Sequence, residues 1–347
     1  MFTTEITKLR SVCLHHIGNR YTDEGIILSN DVLKLDADST KNLMTYCFSS
    51  FKEDNTYSFF NDLGLAYNEV YGCIKEIFNN SQNMLVQSKN LAKLLYDKSN
   101  HPNIKPGDFI VAYFDDCEVD GVIADAIGLF KSENIESFLN VVCNAQSSSI
   151  TSMKGLDLKH VDKAALIFAV NSEDGYKVAV IDNTNGKNEA KYWIDGFLHV
   201  HLCNDSFLHT QTMMAAAKSF FIKQMPEEYK VTKAEQVVFI DKSVKYFKEN
   251  ERFELSDFEN KVINNEDVKN SFDNYVDSFI SNQNLDIDKS FNISTSAVRK
   301  NARNIRSVIK LDKNFHIYVH GGENMIKRGV DEETGMTYYQ LFFKEEQ

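Results

Sequence analysis

The run KAALIFAVNSEDGYKVAVID (residues 163–182) decides the kind of fold this chain can adopt. KAALIFAV and YKVAVID read as two short apolar strands, and NSEDG between them has the turn chemistry of a hairpin. AALIFAV (164–170) is the longest strongly apolar run, far short of the ~20 residues that span a bilayer, so no membrane segment is expected. Upstream, DGVIADAIGLFK (120–131) opens on an Asp-Gly hairpin turn. FIVAYF (109–114) precedes it as a strand, after a loop, HPNIKPGD, that holds two of the three prolines. ITKLRSVCLHHIG and EGIILS read as early strands around a turn at NRYTDE. NMLVQSKNLAKLLYDKS spaces Leu85, Leu91, Leu94 and Leu95 for an amphipathic helix.

From Asn204 the character changes. NDSFLHTQTMMAAAKSFFIKQM ends before Pro226 and reads as a helix, as does TKAEQVVFIDKSVKYFKEN. In NNEDVKNSFDNYVDSFISN, Phe272, Tyr275, Val276 and Phe279 recur at helical spacing. FHIYVHG and MTYYQLFF follow as strands, separated by GENMIKRGVDEETG. The expected fold is α+β: a mixed sheet-containing N-terminal region over 1–203, then a helical region over 204–347 that ends in a basic helix and a small antiparallel sheet.

The 347 residues carry a net charge of −12, with 43 % hydrophobic and 12 % aromatic content, as befits a folded chain with a large core. Six scattered cysteines without a C-x-x-C pair fit reduced thiols. MFTTEITKLR lacks the apolar core of a secretory signal, so a cytoplasmic location is expected. The charge argues against nucleic acid coating the whole surface, because phosphates would be repelled almost everywhere.

One segment reverses that polarity. Residues 298–313 hold Arg299, Lys300, Arg303, Arg306, Lys310 and Lys313 against Asp312 alone, a net of +5 that leaves −17 for the rest. Three of the chain's seven arginines lie within eight residues there. The preceding Ser and Thr residues suit a helix cap. Val298, Ala302, Ile305 and Ile309 recur at i, i+4, i+7, i+11 as a packing face, with Arg299, Arg303, Arg306 and Lys310 one residue on. A row of guanidinium groups suits a phosphate backbone. A solvated face, or pairing with carboxylates of an acidic protein, explains the same residues.

SVIKLDKNFHIYVHG (307–321), GVDEETGMTYYQLFFKEE (329–346) and LDLKHVDKAALIFAV (156–170) resemble the bacterial 37-kDa nucleoid-associated protein family, in the same order and over most of the chain. The resemblance implies a cytoplasmic, nucleoid-located protein that binds double-stranded DNA with little sequence preference and contacts topoisomerases. It supplies no catalytic residues. A homodimer would double the basic strip without further basic residues.

Other constellations are weaker. His199, His201, Cys203, Asp205 and His209 suit zinc by type but lack a second ligand pair. Asp116, Glu118 and Asp120 before Gly121 imitate a calcium loop, yet Ile127 stands where a bidentate Glu is needed. Asp115, Asp116, Glu118 and Lys131 could serve a metal-dependent nuclease, and His160 with Asp162 and Lys163 could serve acid–base chemistry. Walker, dinucleotide-binding and H-E-x-x-H motifs are absent. The expectation is a non-enzyme without cofactor or metal. An acidic adaptor for a DNA-processing enzyme such as a topoisomerase stands as the alternative, and a nuclease after it.

Overall fold

The computed structural model describes the chain except residues 1, 52–54, 144–147, 184–191, 284, 305–306, 312–314, 320–325, 344 and 346–347; at 303, 304, 307, 308, 310 and 319 it describes the backbone alone. The fold is α+β, with helices and antiparallel sheets, and the chain divides into two compact units, Met1–Cys203 and Asn204–Gln347.

The first unit holds β1 (Phe2–Thr3), β2 (Lys8–Ile17), β3 (Ile26–Ile27), α1 (Ala37–Ser49), β4 (Thr56–Phe59), α2 (Glu69–Asn79) and α3 (Met84–Lys98). There follow β5 (Gly107–Val119), β6 (Val122–Ser132), β7 (Glu136–Cys143), β8 (Ser148–Gly155), β9 (Lys163–Phe168), β10 (Lys177–Asp182) and β11 (Val200–Leu202). Strands pair in the order β11-β4-β10-β9-β6-β5-β2-β3, with β1 on β5. The opening run is the β9–β10 hairpin, and Asp120 and Gly121, both at positive φ, close β5 onto β6 with Val119 opposite Val122. Positive φ at both central residues is what a two-residue hairpin demands, which is why Asp-Gly stands there.

Every residue of β9 is buried, and β5 and β6 are buried over most of their length. Antiparallel strands with one wet face would alternate, so this sheet is covered on both sides. On one face Phe109, Val111, Tyr113, Ile127, Leu129, Ala165 and Ile167 pack with Ile74 and Ile77 of α2, Leu91 and Leu95 of α3, and Trp193. On the other, Ile110, Ala112, Phe114, Phe130, Ala164, Leu166 and Phe168 pack with Tyr46 and Cys47 of α1. The β7–β8 ribbon belongs to neither core; it pairs with itself.

Lys131 and Lys163 face each other across β6 and β9, both fully buried. Like charges directly opposite are destabilising, so each ammonium needs its own anion. Lys131 Nζ donates to Lys105 O at 2.8 Å, Glu133 Oε1 at 3.0 Å and the Tyr192 hydroxyl at 3.0 Å, which employs all three of its hydrogens. Lys163 Nζ donates to Asp182 Oδ1 at 2.8 Å. The Tyr192 ring lies about midway, 5.2 Å and 5.0 Å from the two nitrogens.

The second unit holds α4 (Ser206–Ser219), α5 (Met225–Tyr229), α6 (Lys233–Glu249), β12 (Arg252–Glu254), α7 (Leu255–Val262), α8 (Glu266–Ser281), β13 (Ser290–Asn292) and α9 (Thr295–Asn304). Two hairpins follow, β14 (Ser307–Leu311) with β15 (Phe315–Val319), and β16 (Ile326–Val330) with β17 (Thr337–Leu341). Asp205 caps α4, and Thr232 with Glu235 forms a capping box on α6. In α8 the buried residues are Val268, Phe272, Val276 and Ile280; Tyr275 and Phe279 flank them half-buried. The stretch between FHIYVHG and MTYYQLFF is itself strand β16 over Ile326–Val330.

The basic helix is shorter than its spacing implies. It stops at Asn304, and Ser307–Leu311 is strand, so Lys310 does not share a helix face with Arg299 and Arg303. Val308 and Ile309 are β-branched and gain a ladder partner in β15, where Ile309 stands opposite Ile317. Tertiary pairing has overridden a helical period.

His15 in β2 supplies a pH test. It is 2 % exposed. Its Nδ1 accepts the Ser29 N–H at 3.1 Å, which puts the ring proton on Nε2, 3.1 Å from Ser88 Oγ of α3. Burial, helped by Lys89, lowers its pKa from 6.5 to about 4. The unfolded chain therefore takes up a proton before the folded one does, and stability is lost as pH falls through that window. We expect a loss of roughly 3 kcal/mol from this group between neutral pH and pH 4, read as the difference between the wild-type and His15→Gln denaturant midpoints across pH. The buried lysine gives a second test. Glu133→Ala should destabilise by about 3–5 kcal/mol, whereas Lys131→Met with Glu133→Leu should recover most of it, because the double change leaves no buried charge unpaired. Urea unfolding of both variants checks this.

Candidate nucleic-acid interface

The candidate surface is built on α9. Ser294 caps it: its Oγ accepts the Ala297 N–H at 3.3 Å, and its own N–H donates to Thr210 Oγ1 of α4 at 2.9 Å. Ala297 and Val298 are buried, and this packing side fixes the helix, so that Arg299 comes out exposed. Lys300 is half-buried, its Nζ 5.7 Å from the centre of the Phe207 ring. Arg303 lies one helical turn beyond Arg299. Lys310 stands on β14 opposite His316. Arg306 and Lys313, with Ile305, lie outside the described residues.

Two further cations, Lys327 and Arg328, are exposed on β16, opposite Gln340 and Tyr339 of β17. Lys327 Nζ sits 5.4 Å over the Phe342 ring. In sequence they stand within GENMIKRGVDEETG, which reads as a connecting segment, and the adjacent Lys-Arg pair is the one signal that marks them.

Arginine partners separate these cations from the rest. Arg10 pairs with Asp115, Arg20 with Asp97 at 2.8 Å, and Arg252 with Glu254 at 3.5 Å. In the second unit Lys261, Lys269 and Lys289 are likewise held by Asp257, Glu266 and the Asp273–Asp277 pair. Arg299 and Arg328 form no ion pair with any described carboxylate. For these two, neutralisation by a described carboxylate does not account for the basic character.

The other constellations are employed structurally. His199, just before β11, has a left-handed backbone, φ +52°; its ring meets Phe60 edge-on, His201 lies tilted against the same Phe60, and His201 Nε2 meets Ser58 Oγ at 3.1 Å. His209 bonds Asn204 at 2.6 Å. Asp162 accepts the N–H groups of Glu133 and Asn134 at 2.7 and 3.0 Å and so closes the turn after β6. Asp116 pairs with Lys8, and Glu118 accepts from Thr3. Lys131 is in register with Phe109, six residues from Asp115 and on the order of 20 Å along the strand, so these groups do not converge. Among the described residues no group of three His, Cys, Asp or Glu side chains is placed to hold a metal ion, and no helix is long and apolar enough to cross a membrane.

Residues 13–335 match the family described as nucleoid-associated protein YejK. The chain belongs to that family, and its role is a nucleoid-associated one. The curated proteins hold no match to it.

The altered helix end carries a prediction. Ile309, 1 % exposed on β14, should cost about 2–4 kcal/mol when cut to Ala. Arg299→Ala should stay within about 0.5 kcal/mol. Denaturant midpoints of the two variants separate a buried strand residue from an exposed helix residue.

Proposed function

We propose that the chain binds double-stranded DNA with little sequence specificity, through backbone phosphates, using α9 and the strands after it, and that it does so as a homodimer. The observation that carries this reading is the partition of arginines. A chain of net charge −12 neutralises Arg10, Arg20 and Arg252 internally, yet leaves Arg299 and Arg328 exposed without a described carboxylate. An exposed guanidinium gains more from a bidentate phosphate than from water, and phosphate contacts carry no sequence information. Arg299, Lys300 and Arg303 on α9, with Lys310 and the flanking Arg306 and Lys313, are the residues assigned to the contact, joined by Lys327 and Arg328. The acidic remainder confines DNA to this surface by repelling it elsewhere. Contact with a topoisomerase belongs to the same reading as a secondary partner. Neither cofactor nor catalytic residue is assigned.

Fluorescence anisotropy with two unrelated duplexes, titrated with salt, tests it. Arg299→Ala and Arg328→Ala should weaken both duplexes alike, each lowering the magnitude of the log K against log salt slope by roughly 0.9. Arg252→Ala, whose guanidinium already has a carboxylate, should leave the slope unchanged. Unaltered affinity in the Arg299→Ala/Arg328→Ala double variant would remove this surface from the contact.

A further inference from the structure

The β7–β8 ribbon has no place in either core of its unit. All of its described residues are exposed save half-buried Gly155. Cross-strand register sorts them into two faces. Phe138 opposite Met153, with Val142, lies on one; Val141 opposite Ile150, with Leu139, lies on the other. These six side chains are 42–67 % exposed. A two-stranded ribbon is marginal in water by itself, and one that is apolar on both faces is more so. Its sequence over Glu136–Gly155 holds only Glu136 and Lys154 as charges, both at the base of the ribbon.

We propose that the β7–β8 ribbon is a dimerisation arm that docks on a second copy of this chain. This rests on the homodimer reading above and assigns its surface. Charge selects the occupant. DNA is excluded because the ribbon offers a single lysine, and phosphate contacts supply most of non-specific affinity. A second copy, itself at −12, repels the chain wherever carboxylates would meet, so two copies approach most readily through a segment that carries no net charge. Area agrees. The six side chains expose on the order of 600 Å² per copy, and the ribbon backbone brings this to the ~800 Å² per partner of a standard stable interface. Apolar side chains on both faces fit an arm embraced on two sides rather than a sheet laid flat.

Analytical ultracentrifugation of the full chain at micromolar concentration tests this with Val141→Asp/Ile150→Asp, a cross-strand pair whose exposure leaves both cores untouched. The wild type should sediment as a dimer and the variant as a monomer, its dissociation constant raised at least a hundredfold with circular dichroism unchanged. A second variant, in which a short Gly-Ser turn replaces residues 137–154, should give the same monomer. A dimeric variant would overturn the arm while leaving the homodimer standing. A monomeric wild type would overturn both. Wild-type monomer that cosediments with neutral phosphatidylcholine vesicles, lost in the variant, would reassign the ribbon to a lipid surface.

Discussion

The central sheet is dry on both faces, and the first unit follows from that constraint. A strand such as Lys163–Phe168, buried at every position, requires a helical layer on either side, and α1 on one face with α2 and α3 on the other provide them. The same constraint makes the lysines costly. With water excluded, Lys131 and Lys163 stand opposite each other only because Glu133, Asp182 and Tyr192 are brought to them by three different segments. Residues that look like catalytic candidates in sequence are thus committed to holding the sheet together.

Charge is sorted by a parallel logic across the chain. An excess of carboxylates gives each cation many opportunities to pair, and Arg10, Arg20 and Arg252 take them. Exposed arginines without a described carboxylate, Arg299 and Arg328, are therefore more telling in such a chain than they would be in a basic protein. They define the surface proposed for DNA, and the acidity around it accounts for why that surface is small. The ribbon stands at the opposite extreme: nearly uncharged, it is suited to meeting a copy of the same acidic chain.

Local chemistry was legible where one residue pair settles a geometry. Asp120-Gly121 announced the β5–β6 turn, and the run TKAEQVVFIDKSVKYFKEN announced α6, whose Thr232–Glu235 capping box only the structure supplied. The family was legible from the core-and-turn patterns around residues 156–170 and 307–346. What escaped depended on distant partners. Ile309 fits a helical period as well as a strand, and only pairing with Ile317 decides between them. The ribbon has no wet and dry face, so it lacks the alternation that marks a strand. Lys131 and Lys163 read as candidates for nuclease and acid–base chemistry until topology buries them and supplies their anions. For the site, the composition of the basic segment was legible and its shape was not: a helix followed by hairpins replaced a single helical row.

Hydrogen–deuterium exchange of the full chain with and without a duplex tests the central claim most directly, because it reports backbone amides along the whole chain at once. Protection should be confined to α9 and the β14–β17 hairpins, equal for unrelated sequences and fading as salt rises. Protection centred elsewhere, or none at salt concentrations where the duplex is bound, would contradict it.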